Sequence, residues 1–120
     1  MAVQAMGTRQ VFEHHARALG RGDVDEILSD YTDDSILITP TAVLKGHEAI
    51  RAAFDGIVAG LFKPGTYEFT LDKLSVEGEI ACAIWHAKCA SVDVVFGTDT
   101  FVVRDGKIAI QTFAAKIEPH

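Results

Sequence analysis

Cysteine is scarce in this sequence. Only two of its 120 residues are cysteine, and both Cys82 and Cys89 lie in one stretch with the pattern of a β-strand. A strand rises about 3.3 Å per residue, so two cysteines on one strand at this separation are too far apart to form a disulfide. We expect both thiols to be reduced and structural.

Long hydrophobic runs are missing as well. The longest uninterrupted apolar run covers residues 80–85, whereas a membrane-spanning helix needs about 20 apolar residues. The first cationic residue is Arg9, which comes too late for the charged start of a secretory signal. The sequence therefore predicts no membrane partner and a cytoplasmic location.

Positive charge is in deficit. Lys and Arg total 11 against 17 Asp and Glu, which gives a net charge of -6. Nucleic acids and anionic membranes are bound by clustered cations. We therefore expect no nucleic acid among the partners of this chain.

Motifs that would hold a metal or a cofactor are also absent. The sequence has no Ser-His-Asp order, no Cys-His signature, no phosphate-binding loop and no spaced set of metal ligands. We expect neither a metal nor a cofactor. Repeats and low-complexity linkers are missing too, and 120 residues suit one domain spanning 1–120, since domains typically need about 100–150 residues.

What the sequence does contain is a change of hydrophobic period near Pro64. Apolar residues at helical spacing predict helices at 4–19, 24–31 and 46–61. Alternation and β-branched residues predict strands at 35–39, 66–76, 79–90, 94–104 and 107–117. Helices followed by long strands predict the α+β fold class, with the helices gathered on one face of a curved antiparallel sheet. Such a sheet leaves an apolar pocket between itself and the helices.

His15 is the first candidate for a polar group in that pocket. It follows Phe12 by three residues and precedes Leu19 by four, so its imidazole lies on the buried stripe of the first helix. His14 is turned about 100° away. A buried histidine can be a hydrogen-bonded core residue or a proton carrier, and the sequence alone leaves both open.

Asp99 is the second candidate. Alternation along its strand places it on the same face as Val95, Phe101 and Val103. An aspartate on an apolar face needs a reason, which is either a role in the pocket or an edge contact with a backbone amide or a cation. Burial alone would raise the pKa of its carboxyl group, and a nearby protonated histidine would lower it.

Further pocket residues follow from the same phase arguments. Trp85 has the parity of neighbouring small residues on its strand, and its indole N–H could meet a ligand, although core packing also explains it. Gln111 and Phe113 share one face of the last strand, and a buried amide needs partners that a ligand could supply. Phe54 lies on the apolar stripe of the third helix. We expect ligand contacts from Thr39, Phe54, Trp85, Phe101, Gln111 and Phe113.

Three segments together carry a resemblance to a known family. They are Gly22-Asp23-Val24-Asp25-Glu26-Ile27-Leu28 with Tyr31-Thr32-Asp33-Asp34-Ser35, then Gly46-His47-Glu48-Ala49-Ile50-Arg51-Ala52-Ala53-Phe54, then Gly97-Thr98-Asp99-Thr100-Phe101 with Asp105-Gly106-Lys107-Ile108. In this order the chain resembles the ketosteroid isomerase and polyketide-cyclase-like branch of the nuclear transport factor two-like (NTF2-like) superfamily. The resemblance implies a cone-shaped, cystatin-like α+β barrel, a fold that hosts many different activities.

The resemblance also implies roles for three positions. Asp99 falls where the steroid isomerases keep a protonated oxyanion-hole aspartate. His15 falls where they have an oxyanion-hole tyrosine. Their catalytic base is an aspartate before a proline at the end of the first strand, and here Thr39 precedes Pro40. A threonine hydroxyl is far too weak a base at neutral pH, so proton abstraction by the usual residue is not available.

The hypothesis that follows is a small-molecule enzyme using acid/base chemistry on an apolar oxygenated ligand, isomerase-, cyclase- or lyase-like. Its catalytic residues would be Asp99 and His15, either as a contacting charged pair or with a neutral Asp99 donating to a carbonyl oxygen. One alternative is a non-catalytic binding module for a hydrophobic metabolite. A second alternative is water addition of the epoxide-hydrolase-like kind.

The outer face of the predicted sheet suggests a partner. Members of the superfamily commonly pair through this face, and apolar residues with outward parity would suit such a contact. These residues are Ile84, Phe96, Val102 and Ile110. We expect a homodimer.

Overall fold

A computed structural model describes residues 6–120 and contains three helices packed on a six-stranded sheet. The helices are α1 (Thr8–Arg21), α2 (Val24–Leu28) and α3 (Gly46–Ala59). The strands are β1 (Tyr31–Ile38), β2 (Val43–Lys45), β3 (Glu68–Glu77), β4 (Ile80–Lys88), β5 (Val92–Arg104) and β6 (Lys107–Pro119). The predicted α+β class is confirmed.

The sheet is curved and unclosed, with strand order β2-β1-β6-β5-β4-β3. Every neighbouring pair is antiparallel except β1 and β6, which run parallel. Register shifts interrupt the ladders at Leu71/Lys73, Trp85/Ala87 and Val94/Phe96. Bulges of this kind bend a strand and increase its twist, which lets the sheet curl around the helices.

The helix boundaries differ from the predicted ones in two places. The predicted start at Gln4 lies outside the described residues, and Gly7 has an extended backbone, so α1 begins at Thr8. The side chain of Asp23 accepts a hydrogen bond from the N–H of Glu26 and thereby caps α2. Tyr31 was expected at the end of this helix and instead begins β1, because it pairs with Ile108 on β6.

The strand β2 has no counterpart in the sequence prediction. It pairs with β1 through a tight turn in which the N–H of Thr39 donates to the carbonyl of Ala42. Three residues are too few to show an alternating pattern, which explains why periodicity missed it.

The phase of β5 differs from the prediction at one position. Val95 was expected on the face of Asp99, but it is 43% exposed while Val94 is buried. The bulge between Val94 and Phe96 reverses the phase of the strand there. Beyond it Phe101 and Val103 are both buried, as expected.

No helix among residues 6–120 is long and apolar enough to cross a membrane. Within the same range no group of three or more metal-ligating side chains converges.

Gly22 gives a test of how α1 is joined to the rest of the fold. Its φ is 67°, and a Cβ atom there would lie 2.6 Å from Cγ of Pro64. Non-glycine residues in this conformation lose about 1–2 kcal/mol, so Gly22→Ala should lower the free energy of unfolding by at least that much. Urea denaturation measures the loss.

Gly56 in α3 is the matched control, because a Cβ atom there meets nothing within 4 Å. Gly56→Ala should leave the free energy of unfolding unchanged or raise it by about 0.5–1 kcal/mol, since alanine is the better helix former. Equal effects of the two substitutions would contradict a specific role of Gly22.

Candidate functional site

A cavity of about 320 Å³ lies between the inner face of the sheet and the helices α1 and α3. Its volume is near the lower end of the range for small-molecule sites, which is about 300–1,000 Å³. The walls are mostly apolar and rich in aromatic rings. The aromatic side chains that line it are Phe12, Phe54, Phe62, Tyr67, Phe69, Trp85, Phe101 and Phe113.

All the residues that the sequence singled out as site candidates line this cavity. They are His15, Thr39, Phe54, Trp85, Asp99, Phe101, Gln111 and Phe113. None of the described lining residues is Lys or Arg, and Asp99 is the one acidic side chain among them. The cavity therefore presents a single carboxyl group to an otherwise apolar space.

Asp99 is held by one hydrogen-bond donor on each carboxylate oxygen. Nε1 of Trp85 donates to Oδ1 over 2.8 Å, and Nε2 of Gln111 donates to Oδ2 over 2.8 Å. Burial raises the pKa of the Asp99 carboxyl, and the two donors lower it by a smaller amount, so the pKa stays above its usual range. This combination gives a carboxylate that is oriented and more basic than one in water.

Gln111 has a second buried partner, Tyr31 on β1. The hydroxyl of Tyr31 is hydrogen bonded to Oε1 of Gln111, and both side chains are buried. Burial, and after it the charge of Asp99, raises the pKa of Tyr31 well above 10. Tyr31 is the functional candidate that sequence reasoning missed, because its spacing from Val24, Ile27 and Leu28 matched a helix.

His15 occupies the predicted wall of the cavity but makes different contacts from those expected. Its ring packs edge-on against Phe54 and Phe101, with centroids 5.7 and 5.3 Å away. Nδ1 is buried and has no hydrogen-bond partner among residues 6–120. Burial first, and His14 second, lower the pKa of His15 to about 4, so the imidazole is neutral at pH 7.

The structure brings His15 and Asp99 to one cavity without joining them. Both carboxylate oxygens of Asp99 are taken by Trp85 and Gln111, and no hydrogen bond links the His15 ring to Asp99 within the described part of the chain. The charged-pair version of the hypothesis required that contact together with a raised pKa at His15. Burial among aromatic rings produces the opposite shift.

His14 faces away from the cavity, as its helical phase predicts. Its Nδ1 lies 2.8 Å from both carboxylate oxygens of the buried Asp30, and its Nε2 lies 3.4 Å from Glu26. Burial raises the pKa of Asp30 despite the opposing effect of His14. This cluster ties α1 to the segment that leads into β1.

Thr39 lines the cavity at the end of β1, but its hydroxyl is committed to the β1–β2 turn. The oxygen accepts hydrogen bonds from the N–H groups of Thr41 and Ala42, over 3.3 and 3.1 Å. The position that would carry a carboxylate base in the steroid isomerases therefore holds a turn-forming hydroxyl.

The indole of Trp85 lies over Gly97, its cross-strand neighbour on β5. A Cβ atom at Gly97 would come within 2.3 Å of the ring, so only glycine allows this approach. The ring of Phe113 stacks on the indole, with 6.3 Å between the ring centroids and 20° between the ring planes. Gly97 is thus required for the Trp85 N–H to reach Asp99, and a glycine inside a strand was the sequence signal for it.

The sequence of this chain matches a known domain family. The family model of the SnoaL-like domain matches residues 12–111, which confirms the resemblance inferred from the sequence. Among proteins with curated functions, none matches the chain.

Solved structures share the fold at low sequence identity. The epoxide hydrolase/cyclase-like enzyme SalBIII, described for pyran ring formation in the polyether salinomycin, is 19% identical over 94% of this chain and 95% of its own, with a TM-score of 0.78. An NTF2-like protein of unknown function from Cytophaga hutchinsonii is 14% identical, covering 97% of this chain and 95% of its own, with a TM-score of 0.75.

A de novo designed protein with a curved β-sheet is 17% identical over 91% of this chain and 84% of its own, with a TM-score of 0.76. At identities this low the likeness extends to the fold alone. The chemistry has to be argued from the residues of this chain.

The lowered pKa of His15 predicts a specific loss of stability in acid. Between pH 6.5 and about 4 the unfolded chain binds a proton that the folded chain does not, so stability falls as the pH is lowered through this range. His15→Phe removes this contribution. The loss of unfolding free energy from pH 7.5 to 4.5, measured by urea denaturation, should be about 2.5 kcal/mol smaller in the variant.

His86→Gln is the control for that measurement, because the side chain of His86 is 42% exposed and is hydrogen bonded to Asp72 outside the cavity. It should leave the acid-dependent loss close to that of the parent protein. If His15→Phe behaves like His86→Gln, the imidazole of His15 is not buried as described.

Proposed function

We propose, because the chain belongs to the SnoaL-like domain family, that it is an enzyme which performs acid/base chemistry on a small, mostly apolar, oxygenated molecule. Asp99 is the group that moves the proton. The reaction is isomerase-, cyclase- or lyase-like, since each of these can proceed by removing a proton from one atom and returning it to another.

The observation that carries this proposal is the environment of Asp99. A carboxyl group in an apolar cavity is unfavourable for folding, and its two oxygens are held by donors from two neighbouring strands. A raised pKa brings the group closer to the value that suits a general base near neutral pH. Each oxygen accepts one hydrogen bond and keeps a lone pair with which it can take a proton from a substrate.

The orientation of the donors favours Asp99 as a base over Asp99 as a neutral donor. The indole N–H of Trp85 can only donate, and Nε2 of Gln111 faces the other oxygen. Both contacts stabilise the ionised form. The substrate proton is then transferred to a carboxylate oxygen and later returned to another atom of the substrate, so the enzyme ends the cycle unchanged.

His15 has a different part in this proposal from that of a charged acid. Its imidazole is neutral at pH 7, and a neutral imidazole carries one N–H donor and one acceptor. The unpartnered Nδ1 lies in a wall of Phe54 and Phe101. We assign His15 to the polar end of the ligand, where it contacts the oxygen as a hydrogen-bonding group.

The hydroxyl of Thr39 supports the choice of Asp99 as the base. It is used by the β1–β2 turn and has no basicity at neutral pH. Within the described lining of the cavity Asp99 is the one carboxyl group, and burial raises its pKa above the usual range.

Two other functions remain as alternatives. The same carboxylate could take a proton from a water or a hydroxyl group that opens an epoxide, and the fold shared with SalBIII favours including epoxides in any substrate test. The second is a non-catalytic module that holds a hydrophobic metabolite, for which the apolar walls alone would suffice.

We also propose that the protein is a homodimer through the outer face of the sheet. The strand register places Ile80, Val102 and Ile110 side by side across β4, β5 and β6, and Ile36 continues the row on β1. Phe96, also on this face, is 48% exposed. A continuous apolar row of this kind suits contact with a second copy related by a twofold axis.

Asp99→Asn tests the catalytic proposal, because the amide keeps the shape and removes the base. A panel of enones, epoxides and cyclic ketones is assayed for turnover by the parent protein. For any compound that turns over, kcat/KM should fall by about 10²–10⁴-fold in the variant.

Asp93→Asn is the matched control on the same strand. Its carboxylate is hydrogen bonded to His120 outside the cavity, so kcat/KM should stay at the parent value. Tight binding of a panel compound without turnover, unchanged by Asp99→Asn, would overturn the catalytic proposal in favour of the binding module.

Val102→Lys tests the dimer, because it places a charge in the centre of the apolar row. Sedimentation equilibrium should show a dimer for the parent protein and a monomer for the variant. Leu71→Lys is the control, since Leu71 is also exposed but lies on the edge strand β3. A monomeric parent protein at high concentration would rule the dimer out.

A further inference from the structure

We propose that Tyr31 is a positioning residue for Asp99, whose hydroxyl locks the side-chain amide of Gln111 with Nε2 towards the carboxylate. This inference rests on the proposed function, because it assigns a role in the acid/base reaction of the same cavity. It concerns a residue that neither touches the substrate nor follows from the family resemblance.

The hydrogen bonds form one chain across four adjacent strands. Tyr31 on β1 is bonded to Gln111 on β6, Gln111 donates to Asp99 on β5, and Trp85 on β4 donates to Asp99 from the other side. The order of the residues in this chain is the order of the strands in the sheet, β1-β6-β5-β4. The backbone ladder therefore fixes the spacing of all the partners.

The residues at the two ends of this row of hydrogen bonds determine which atoms donate and which accept. The indole N–H of Trp85 can only donate, so Asp99 is an acceptor there. Tyr31 is 2% exposed, and within the described residues its hydroxyl has no hydrogen-bond partner other than Gln111. The hydroxyl proton has to point at an acceptor, and Oε1 of Gln111 is the one in reach.

A primary amide can be turned by 180° with little change in shape, so the orientation of Gln111 needs a cause. In the turned state Oε1 would face the Asp99 carboxylate, Nε2 would face the Tyr31 oxygen, and the Tyr31 proton would lose its acceptor. A buried donor without a partner is unfavourable. While Asp99 is ionised, only the observed orientation of Gln111 gives a partner to every polar side-chain atom in this row of hydrogen bonds.

The fixed orientation of the Gln111 amide, which we call the lock, affects where the transferred proton lies on Asp99. When Asp99 takes a proton from the substrate, both of its oxygens still face N–H groups, and Gln111 cannot turn to accept the new O–H. The proton then points into the cavity and remains available for return to the substrate. Without the lock, Gln111 could turn and stabilise the protonated carboxyl, and the Asp99 pKa would rise.

Few other titratable groups face Asp99. Among the described lining residues α1 contributes His15 and the segment before β3 contributes Tyr67. Tyr31 on β1 is outside this lining and is linked to Asp99 through Gln111. The lining residues of α3, β4 and β6 are not titratable. Tyr67 makes no hydrogen bond to Gln111 or Asp99, which makes it the matched control for Tyr31.

The composition of the chain provides a selective probe. Trp85 is the one tryptophan, so its indole N–H gives a single cross-peak in a ¹H–¹⁵N spectrum. Because this N–H donates to Oδ1 of Asp99, the position of the peak should follow the ionisation of the carboxyl as the pH is changed. Loss of the titration in Asp99→Asn assigns the midpoint to Asp99.

Tyr31→Phe should raise the Asp99 midpoint by about 0.5–1 pH unit, because the amide of Gln111 is released. Tyr67→Phe should leave the midpoint unchanged. The chain has two tyrosines, and replacing both by 3-fluorotyrosine, a stronger donor of the same shape, should lower the midpoint. The 3-fluorotyrosine measurement tests the proposal even if Tyr31→Phe fails to fold.

A double variant separates a lock from a packing effect. Gln111→Met removes the amide and should raise the midpoint, and adding Tyr31→Phe in that background should produce no further shift, since Tyr31 acts only through Gln111. An unchanged midpoint in Tyr31→Phe, or an equal shift with and without Gln111, would overturn the proposal. The titration needs no substrate, so a shifted midpoint in a protein without turnover would keep the lock and reject the proposed enzyme.

Discussion

A carboxyl group inside an apolar cavity is tolerated only when its oxygens find donors, and the arrangement around Asp99 depends on meeting that condition. The donors come from the strands on either side of β5, so the pairing of β4, β5 and β6 is also what holds the site together. The two donors offset only part of the free-energy cost of burying the carboxylate, so the pKa of Asp99 stays above its usual range. A raised pKa is also what the proposed role of Asp99 as a base requires.

Backbone features of β5 make the contact between Trp85 and Asp99 possible. Gly97 leaves room for the indole of Trp85 to lie on β5, and without that approach the N–H could not reach Asp99. The bulge between Val94 and Phe96 places the buried Val94 on the same concave side as Gly97, Asp99 and Phe101. The bulges bend the sheet around the helices, and Gly97 makes room for the donor that Asp99 needs.

Sequence reasoning reached the fold class, most element positions and the inward direction of Asp99. Alternation was sufficient for Asp99 because the ladder from 97 to 102 is regular on both sides. It failed at Val95, where a bulge reverses the phase, and at Tyr31, where helical spacing continued past the end of α2. It also could not supply partners: which donor meets Asp99 is decided by strand register, and register depends on residues distant in sequence.

A designed protein and the enzyme SalBIII share this curved-sheet fold with the chain, and a shared fold does not specify which polar groups line a cavity. His15 and Asp99 are ionisable groups in a mostly apolar cavity, and burial lowers the pKa of His15 and raises that of Asp99, so burial disfavours the charged form of each. This disadvantage supports the proposal that both side chains contact a polar part of a ligand.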